Sequence, residues 1–174
     1  ESFSQCSRDK TDLARGIDDE TYREIRSALL SFGVLFFKGQ SEIPPAVQVQ
    51  IGRMFGDLHM HPAAPQMPGY PEVFVIHAHR DSKVANGEFW HSDVSCDEEP
   101  PAASILYLHT VPPCGGDTLF ASQYAAYDAL SPRMKSYLEG LTATHSGDHV
   151  YRRNNALMGL KETGKTYPRA SHPR

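Results

Sequence analysis

The stretch Phe89-Trp90-His91-Ser92-Asp93 is the most informative part of this chain. Its imidazole and its carboxylate stand two positions apart, and on an extended segment such side chains point to the same side. We therefore predict a strand over residues 90–94 that presents His91 and Asp93 together as metal ligands. Two histidines, one carboxylate and open coordination positions suit non-haem Fe(II) and oxygen chemistry, but the second histidine is not evident.

The neighbours of this pair strengthen the metal-binding interpretation, since a bare His-x-Asp also arises by chance and on surface strands. Phe89 and Trp90 are predicted to form apolar walls that limit water around the site. Val94, at the adjacent position, is predicted to line the same pocket.

Two further histidine pairs have the same spacing, His59-Met60-His61 and His77-Ala78-His79, but neither has an adjacent carboxylate on the same face. We predict that His61 contacts a substrate, and the alternative is a partly buried, hydrogen-bonded histidine. For His77 and His79 we favour a structural role.

The segment Gly115-Gly116-Asp117-Thr118 admits two interpretations. One is an ordinary hairpin turn, for which glycine and aspartate are common residues. In the other, the glycines let the backbone come close to a bound acid, and the Thr118 hydroxyl donates a hydrogen bond to its carboxylate.

Composition limits the class of protein. The 174 residues fit one domain, with 40% hydrophobic and 22% charged residues, as in ordinary globular proteins. A net charge of −4 without a basic block argues against a nucleic-acid partner.

Cys6, Cys96 and Cys114 lack a C-x-x-C spacing, which favours a reducing, cytoplasmic location. No apolar run approaches the roughly 20 residues that span a membrane, and an exposed sheet edge would favour a homo-oligomer.

Periodicity and turn residues predict helices mainly at the front of the chain and strands behind them. The predicted helices cover residues 20–31, capped by Asp18 or Asp19 and stopped at Gly33, 44–55, 122–129 and 131–139, which is capped by Ser131. The predicted strands cover 34–37, 73–79, 90–94, 103–109, 118–121 and 141–145. Residues 1–16 are predicted to be extended or irregular, and those from 147 onward to form a polar flap. This order favours an α+β domain with a partly closed β-sandwich of the jelly-roll kind.

Several ordered segments carry a resemblance to a known family. They are Gly33-Val34-Leu35-Phe36-Phe37, Phe55-Gly56-Asp57-Leu58-His59-Met60-His61-Pro62, Trp90-His91-Ser92-Asp93-Val94, Pro100-Pro101, Gly115-Gly116-Asp117-Thr118-Leu119-Phe120 and Ala125-Ala126-Tyr127-Asp128-Ala129-Leu130-Ser131. Together they resemble the TauD/TfdA family of Fe(II)- and 2-oxoglutarate-dependent dioxygenases, from about Asp12 to the last residues.

The resemblance implies a double-stranded β-helix core, cupin-like, with flanking helices. It also implies roles for five residues: His91 and Asp93 as iron ligands, Thr118 at the 2-oxoglutarate carboxylate, and His61 and Val94 in the substrate pocket. The tyrosine that the family carries three positions after that pocket histidine is replaced here by Ala64.

By the same resemblance, the protein uses O2 and 2-oxoglutarate to hydroxylate a small organic acid such as a sulfonate, an alkyl sulfate or an aryloxy acid, with release of succinate and CO2. The family's second iron histidine and its 2-oxoglutarate-binding arginine have no counterpart here, because His172 matches a His-Pro segment that is not a ligand. We therefore expect residues 1–174 to form one dioxygenase domain that lacks its C-terminal part.

Two alternatives remain open. One is a catalytically inactive jelly-roll binding module without a complete metal triad. The other is a zinc hydrolase that uses His91, Asp93 and a nearby histidine such as His61.

Overall fold

The computed structural model describes residues 11–61, 65–82, 87, 89–157, 159, 164 and 166–174. Most of the predicted irregular N-terminal segment, with Cys6, lies outside these residues, as does Ala64. Over the described part of that segment the prediction is wrong, because Leu13–Arg15 forms a short 3-10 helix. Asp12 caps this helix by accepting a hydrogen bond from the backbone N–H of Ala14 at 3.2 Å, and Leu13 is buried.

Two compact units make up the chain. The first comprises Glu1–Asp57 and Ile105–Leu130, and the second comprises Leu58–Ser104 and Ser131–Arg174.

The first unit is built on two helices whose ends follow from local sequence. Helix α1 is Asp19–Phe32, and the carboxylate of Asp18 caps it by accepting a hydrogen bond from the N–H of Thr21 at 2.8 Å. It ends at Gly33, whose φ of 73° is a left-handed conformation that glycine adopts without a steric penalty. Helix α2 is Pro45–Phe55 and begins with proline at its first position, where the missing N–H costs nothing. Both helices confirm the predictions.

The core of this unit is small and aliphatic. Its buried members are Leu13, Ile25, Ile43 and Ile51. The edge of the ring of Tyr22 meets the face of the ring of Phe55 across the two helices, with centroids 5.0 Å apart. Helix α3, Gln123–Asp128, also belongs to this unit and is capped by the Ser122 hydroxyl.

The second unit holds two antiparallel pairs of strands. Strands β1, Gln66–Met67, and β2, Tyr70–Phe74, form the first pair. Strands β3, Thr142–Ser146, and β4, Arg169–Pro173, form the second, with Thr142 opposite Pro173 and Ser146 opposite Arg169. Helix α4, Pro132–Leu138, is capped by Ser131 as predicted.

Helix α5, Asp148–Leu157, and strand β4 correct the prediction of a polar flap from residue 147 onward. The helix has few apolar residues, so its sequence shows little helical periodicity. The polar β4 is a strand because it pairs with β3, which is a contact that local sequence does not report.

The prediction of strands at 34–37, 90–94, 103–109 and 118–121 is wrong in this structure, and the predicted strand 73–79 is β2, ending at Phe74. A strand requires a partner for its N–H and C=O groups. Among the described residues the β1–β2 and β3–β4 ladders provide one, and Phe36 forms only a single bridge. The helices and small sheets confirm an α+β chain, and the jelly-roll core stays a prediction.

A bilayer-crossing helix needs about 20 residues. The longest helix in the described part of the chain, α1, has 14, and none there combines the length and apolar character that a span requires.

We predict that Ile51→Ala lowers the free energy of unfolding by about 2–5 kcal/mol, because it leaves a cavity in the aliphatic core. The exposed neighbour Gln50 offers a control on the same helix, and Gln50→Ala should change it by about 0.5 kcal/mol or less. Urea unfolding followed by circular dichroism measures both. Equal effects of the two substitutions would contradict a core role for Ile51.

Candidate metal centre

His91 and Asp93 come together at a reversal of the chain. Nε2 of His91 lies 3.3 Å from Oδ1 of Asp93. The predicted strand over 90–94 is not formed, because the chain turns from Asp93 onward and the N–H of Asp97 bonds to the carbonyl of Val94 at 3.0 Å. We refer to residues 93–97 as the ligand turn.

Each of the two side chains is oriented by one hydrogen bond. The backbone carbonyl of Phe89 lies 2.6 Å from Nδ1 of His91. Because a carbonyl can only accept, Nδ1 carries the hydrogen, and in the neutral ring the Nε2 lone pair faces the carboxylate. The hydroxyl of Ser104 donates to Oδ2 of Asp93 at 2.8 Å, which leaves Oδ1 toward the histidine. Such outer hydrogen bonds are what orient ligands in metal sites.

Val94 adopts an unusual backbone conformation in the ligand turn. Its φ is 47°, a left-handed value that a β-branched residue rarely adopts. Conformations of this kind cost about 1–3 kcal/mol and persist where surrounding contacts enforce them. The predicted pocket residue thus lies at the point of reversal, next to Asp93, with its side chain half-buried.

Besides His91, three histidines among the described residues contact the ligand turn. Nε2 of His172 lies 3.0 Å from the carbonyl oxygens of both Ser95 and Asp97. Nδ1 of His145 lies 3.0 Å from the hydroxyl of Ser95. Nε2 of His59 lies 2.7 Å from Oδ2 of Asp97. Within the turn, Cys96 is buried, with 7% of its surface exposed.

Gly147 permits close packing beside the same turn. A Cβ atom at this position would lie 2.5 Å from Cε2 of Tyr151 and 3.2 Å from Sγ of Cys96. Real Cβ atoms do not approach ring carbons so closely, so a side chain here would displace Tyr151.

His61 lies in an aromatic environment. Its ring centroid is 5.3 Å from that of Phe74 and 5.5 Å from that of Tyr151, whose hydroxyl is 3.4 Å from Nε2 of His61. Burial lowers the pKa of His61 below the ordinary histidine value, and the charge of His59 lowers it further, against the opposing influence of Asp93 and Asp97. His61 is therefore a neutral imidazole at pH 7.

Burial, followed by the influence of Cys96, raises the pKa of Tyr151 to about 12. Its hydroxyl thus keeps its hydrogen over the whole physiological range and is able to donate to Nε2 of His61.

The described residues contain no group of three or more His, Cys, Asp or Glu side chains placed to hold a metal ion. His61, His59, His145 and His172 therefore do not complete a triad with His91 and Asp93 in this structure. The zinc hypothesis, which requires such a triad, stays a prediction.

The predicted apolar walls do not enclose the pair here. Phe89 is 64% exposed and Trp90 69%, and the guanidinium of Arg153 lies 5.3 Å from the centre of the Phe89 ring. The ligand side chains themselves are 54% and 57% exposed.

Thr118 lies in the first unit, exposed, in an irregular segment. Gly115 and Gly116 before it have φ of 76° and 78°, so both use conformations that favour glycine. The contact of Thr118 with a carboxylate stays a prediction.

His77 and His79, predicted to be structural, lie exposed in an irregular segment after β2. The backbone N–H of His79 donates to the Ser82 hydroxyl at 3.0 Å, and the imidazole centroids of His77 and His79 are 5.7 Å apart.

Sequence reasoning missed the residues that support the ligand pair. Ser104 is eleven positions from Asp93, and His145 and His172 are 50 and 77 positions from Ser95. No local motif connects these residues. The two histidines reach the turn from paired strands β3 and β4, and this pairing is visible only in the structure.

Residues 159–166 read Gly-x-x-x-x-Gly-Lys-Thr, the pattern of a phosphate-binding loop. That loop needs a strand before it and a helix after it, whereas here α5 precedes the pattern and β4 follows it. Most of these residues lie outside the described part, and the pattern carries no nucleotide-binding proposal.

Comparisons with known proteins identify the chain's relatives. The description of the family that matches residues 3–174 is "Taurine catabolism dioxygenase TauD, TfdA family". The alkylsulfatase of Acinetobacter baylyi is 34% identical over 139 residues, which are 80% of this chain and 43% of that protein. The alpha-ketoglutarate-dependent 2,4-dichlorophenoxyacetate dioxygenase of Cupriavidus pinatubonensis is 35% identical over 150 residues, 77% of this chain and 52% of that protein.

A crystal structure of a taurine dioxygenase from Burkholderia xenovorans is similar to this fold, with a TM-score of 0.72 and 29% identity. The match covers 96% of this chain and 53% of that one. The chain thus spans about half the length of the relatives it matches.

We predict that His61 titrates below the 6.5 that is ordinary for histidine, and that Phe74→Ala moves its pKa back upward by exposing the ring. Val75→Ala, at the exposed next position, is the control and should leave it in place. The Hε1–Cε1 signal of His61, assigned by its loss in His61→Gln, follows the titration by NMR.

The same depressed pKa makes stability depend on pH. Between 6.5 and the lower folded-state value, the unfolded chain binds the proton first, so the free energy of unfolding falls as the pH is lowered through this window. His61→Gln should remove this part of the acid sensitivity. A His61 pKa at or above 6.5 in the folded protein would contradict the prediction.

Proposed function

We propose that this chain, which belongs to the TauD/TfdA family, is the metal-ligand-bearing part of an Fe(II)- and 2-oxoglutarate-dependent dioxygenase. The observation that carries the proposal is the pairing of His91 Nε2 with Asp93 Oδ1 at 3.3 Å. Because the chain spans about half the length of its relatives, the activity is proposed for the whole protein.

The donor atoms present fit a divalent metal ion. Two ligand atoms on neighbouring corners of an octahedron, each about 2.1 Å from the ion, lie about 3 Å apart, close to the separation found here. The Nδ1 hydrogen of His91 is held by the Phe89 carbonyl, so Nε2 is the coordinating atom. Ser104 holds the second oxygen of Asp93, which favours coordination through Oδ1 alone.

In the proposed site, His91 and Asp93 hold Fe(II), and Thr118 binds the far carboxylate of 2-oxoglutarate. When bound, this iron supplies the chemistry by which O2 converts 2-oxoglutarate to succinate and CO2 and places the second oxygen atom in a C–H bond of the substrate. The second histidine and the arginine that the family uses are assigned to no described residue.

The proposed substrate is a small organic acid of the sulfonate, alkyl sulfate or aryloxy acid class. The three relatives take their names from taurine, an alkyl sulfate and 2,4-dichlorophenoxyacetate, which all carry an anionic group. His61 would contact the substrate as a neutral hydrogen-bonding group rather than as a cation, because burial lowers its pKa. Val94 would line the pocket beside Asp93.

Further features of the whole protein belong to the same proposal. Residues 1–174 would form part of one domain with a double-stranded β-helix core, as the likeness to the taurine dioxygenase supports. A cytoplasmic location is supported by Cys96 and Cys114, which are both free thiols. A homo-oligomer remains part of the proposal, and nucleic acid and membranes are not proposed as partners.

The first test is an anaerobic titration of the whole protein with Fe(II) and 2-oxoglutarate, followed by the weak visible charge-transfer absorption of the chelate. We expect the absorption in the wild type, its loss in His91→Ala and Asp93→Ala, and its retention in the exposed control His79→Ala. Succinate formation with taurine, an alkyl sulfate and an aryloxyacetate then ranks the substrates. A protein that gives no absorption would support the inactive binding module instead.

A second prediction concerns Ser104, whose hydroxyl donates to the carboxylate of Asp93. Ser104→Ala should weaken Fe(II) binding about 10-fold or more, because hydrogen bonds to ligands typically change metal affinity by such factors. Ser104→Thr keeps the hydroxyl and serves as the matched control, with affinity near that of the wild type. Isothermal titration with Fe(II) under argon measures both, and equal affinities in the two variants would contradict a role for the hydroxyl.

A further inference from the structure

Strands β3 and β4 present two histidines on one face. Along β3, residues 143 and 145 are partly buried while their neighbours are exposed, and along β4 the same holds for residues 170 and 172. In the register, Ala143 is opposite His172 and Ala170 is opposite His145. The two imidazoles are therefore diagonal neighbours, with ring centroids 5.4 Å apart and edge to face.

This face meets the backbone of the ligand turn. Nε2 of His172 is 3.0 Å from two carbonyl oxygens, those of Ser95 and Asp97. Since neither carbonyl can donate, the single Nε2 hydrogen of His172 is shared between them. The carbonyls belong to alternate residues, so one imidazole fixes the backbone on both sides of Cys96.

His145 adds a contact to a side chain of the turn. Its Nδ1 is 3.0 Å from the Ser95 hydroxyl. From outside the β3–β4 ladder, Nε2 of His59 reaches Oδ2 of Asp97 at 2.7 Å. Together these contacts hold the segment directly after Asp93.

The turn needs such support because its local conformation is unfavourable. Val94 has a φ of 47°, and no glycine relieves the strain. Backbone hydrogen bonding within the turn consists of one bond, from the N–H of Asp97 to the carbonyl of Val94. If residues 95–97 were released, Val94 would relax toward negative φ and Asp93 would move away from His91.

We propose that His172 is a positioning residue for the metal pair: its hydrogen bond to the Ser95 and Asp97 carbonyls holds the ligand turn in the conformation that places Asp93 beside His91. His172 does not touch the metal ligands, and it acts through the backbone that follows Asp93. His145 supports the same turn through the Ser95 side chain. The part of this proposal that concerns metal rests on the proposed function, whereas the part that concerns the turn does not.

Cys96 provides a probe of the turn that requires no metal. Cys96 is buried and lies in sequence between Ser95 and Asp97, whose carbonyls His172 binds, so its rate of alkylation reports how often the turn opens. The whole, metal-free protein is treated with iodoacetamide, and the modified Cys96 peptide is quantified by mass spectrometry, which separates it from other cysteines such as the exposed Cys114.

We expect His172→Ala to raise the rate of Cys96 alkylation by about tenfold, in line with loss of a buried hydrogen bond. His172→Gln places an amide N–H near the position of Nε2 and should restore most of the protection, whereas His172→Asn is too short to do so. Ser171→Ala, on the exposed face of β4, is the matched control and should behave as wild type. If His172→Ala does not fold, the alkylation rates of Cys96 are compared between His172→Gln and His172→Asn instead.

The second measurement is the affinity of the same variants for Fe(II) in the presence of 2-oxoglutarate. The proposal expects weaker binding in His172→Ala by about tenfold, with recovery in His172→Gln. Unchanged Cys96 alkylation with a lowered melting temperature would show a purely structural role and overturn it. Faster alkylation of Cys96 in His172→Ala together with an unchanged affinity for Fe(II) would also overturn the proposal. If the wild type binds no iron, the proposed function fails, and the alkylation rates alone decide whether His172 holds the turn.

Discussion

The reversal of the chain at the ligand turn is the constraint on which the candidate site depends. His91 and Asp93 face each other at 3.3 Å directly before this turn, in which Val94 has a φ of 47°. A valine in this conformation is unfavourable by itself. The turn therefore requires contacts from residues distant in sequence, and these come from His172, His145 and His59. Local strain next to the ligands is compensated by hydrogen bonds from residues that are distant in sequence.

The electrostatic character of the second unit follows from the same arrangement. Nε2 of His91 and the carboxylate of Asp93, 3.3 Å apart, form an arrangement that a cation bound to both would stabilise. In the same unit, the half-buried His61 stays neutral and Tyr151 stays protonated, because burial disfavours the charged form of each. The region thus combines one anionic ligand with neutral hydrogen-bonding groups. A divalent ion bound by Asp93 and His91 would have these neutral groups near it. The two ligand side chains are exposed, which leaves space for small acids to reach the ion.

Sequence predicted those features that depend on neighbours along the chain. The caps at Asp18 and Ser131, the stop at Gly33 and the pairing of the two ligand residues all arise within a few positions. It did not predict the turn itself, because the His-x-Asp spacing fits a strand as well as a reversal. It also missed β4, whose polar residues become a strand only through pairing with β3. The contacts of His172 with the ligand turn could not be predicted for the same reason, since 77 positions separate His172 from Ser95.

Residues 103–109 show most clearly that an apolar composition does not form a strand unless the segment pairs with another strand. Its sequence is apolar enough for a strand buried on both faces, yet Leu106 and Leu108 are 60% and 59% exposed. Side-chain composition favours the extended conformation, but a strand exists only where a neighbour satisfies its backbone groups and a second layer covers its side chains. Among the described residues this segment has no partner strand, although Tyr107 packs against the aliphatic core. The proposed double-stranded β-helix would supply both, so the same leucines that argue against a strand here are the residues that such a core would bury. Composition therefore indicates what a segment requires, and pairing determines whether it forms.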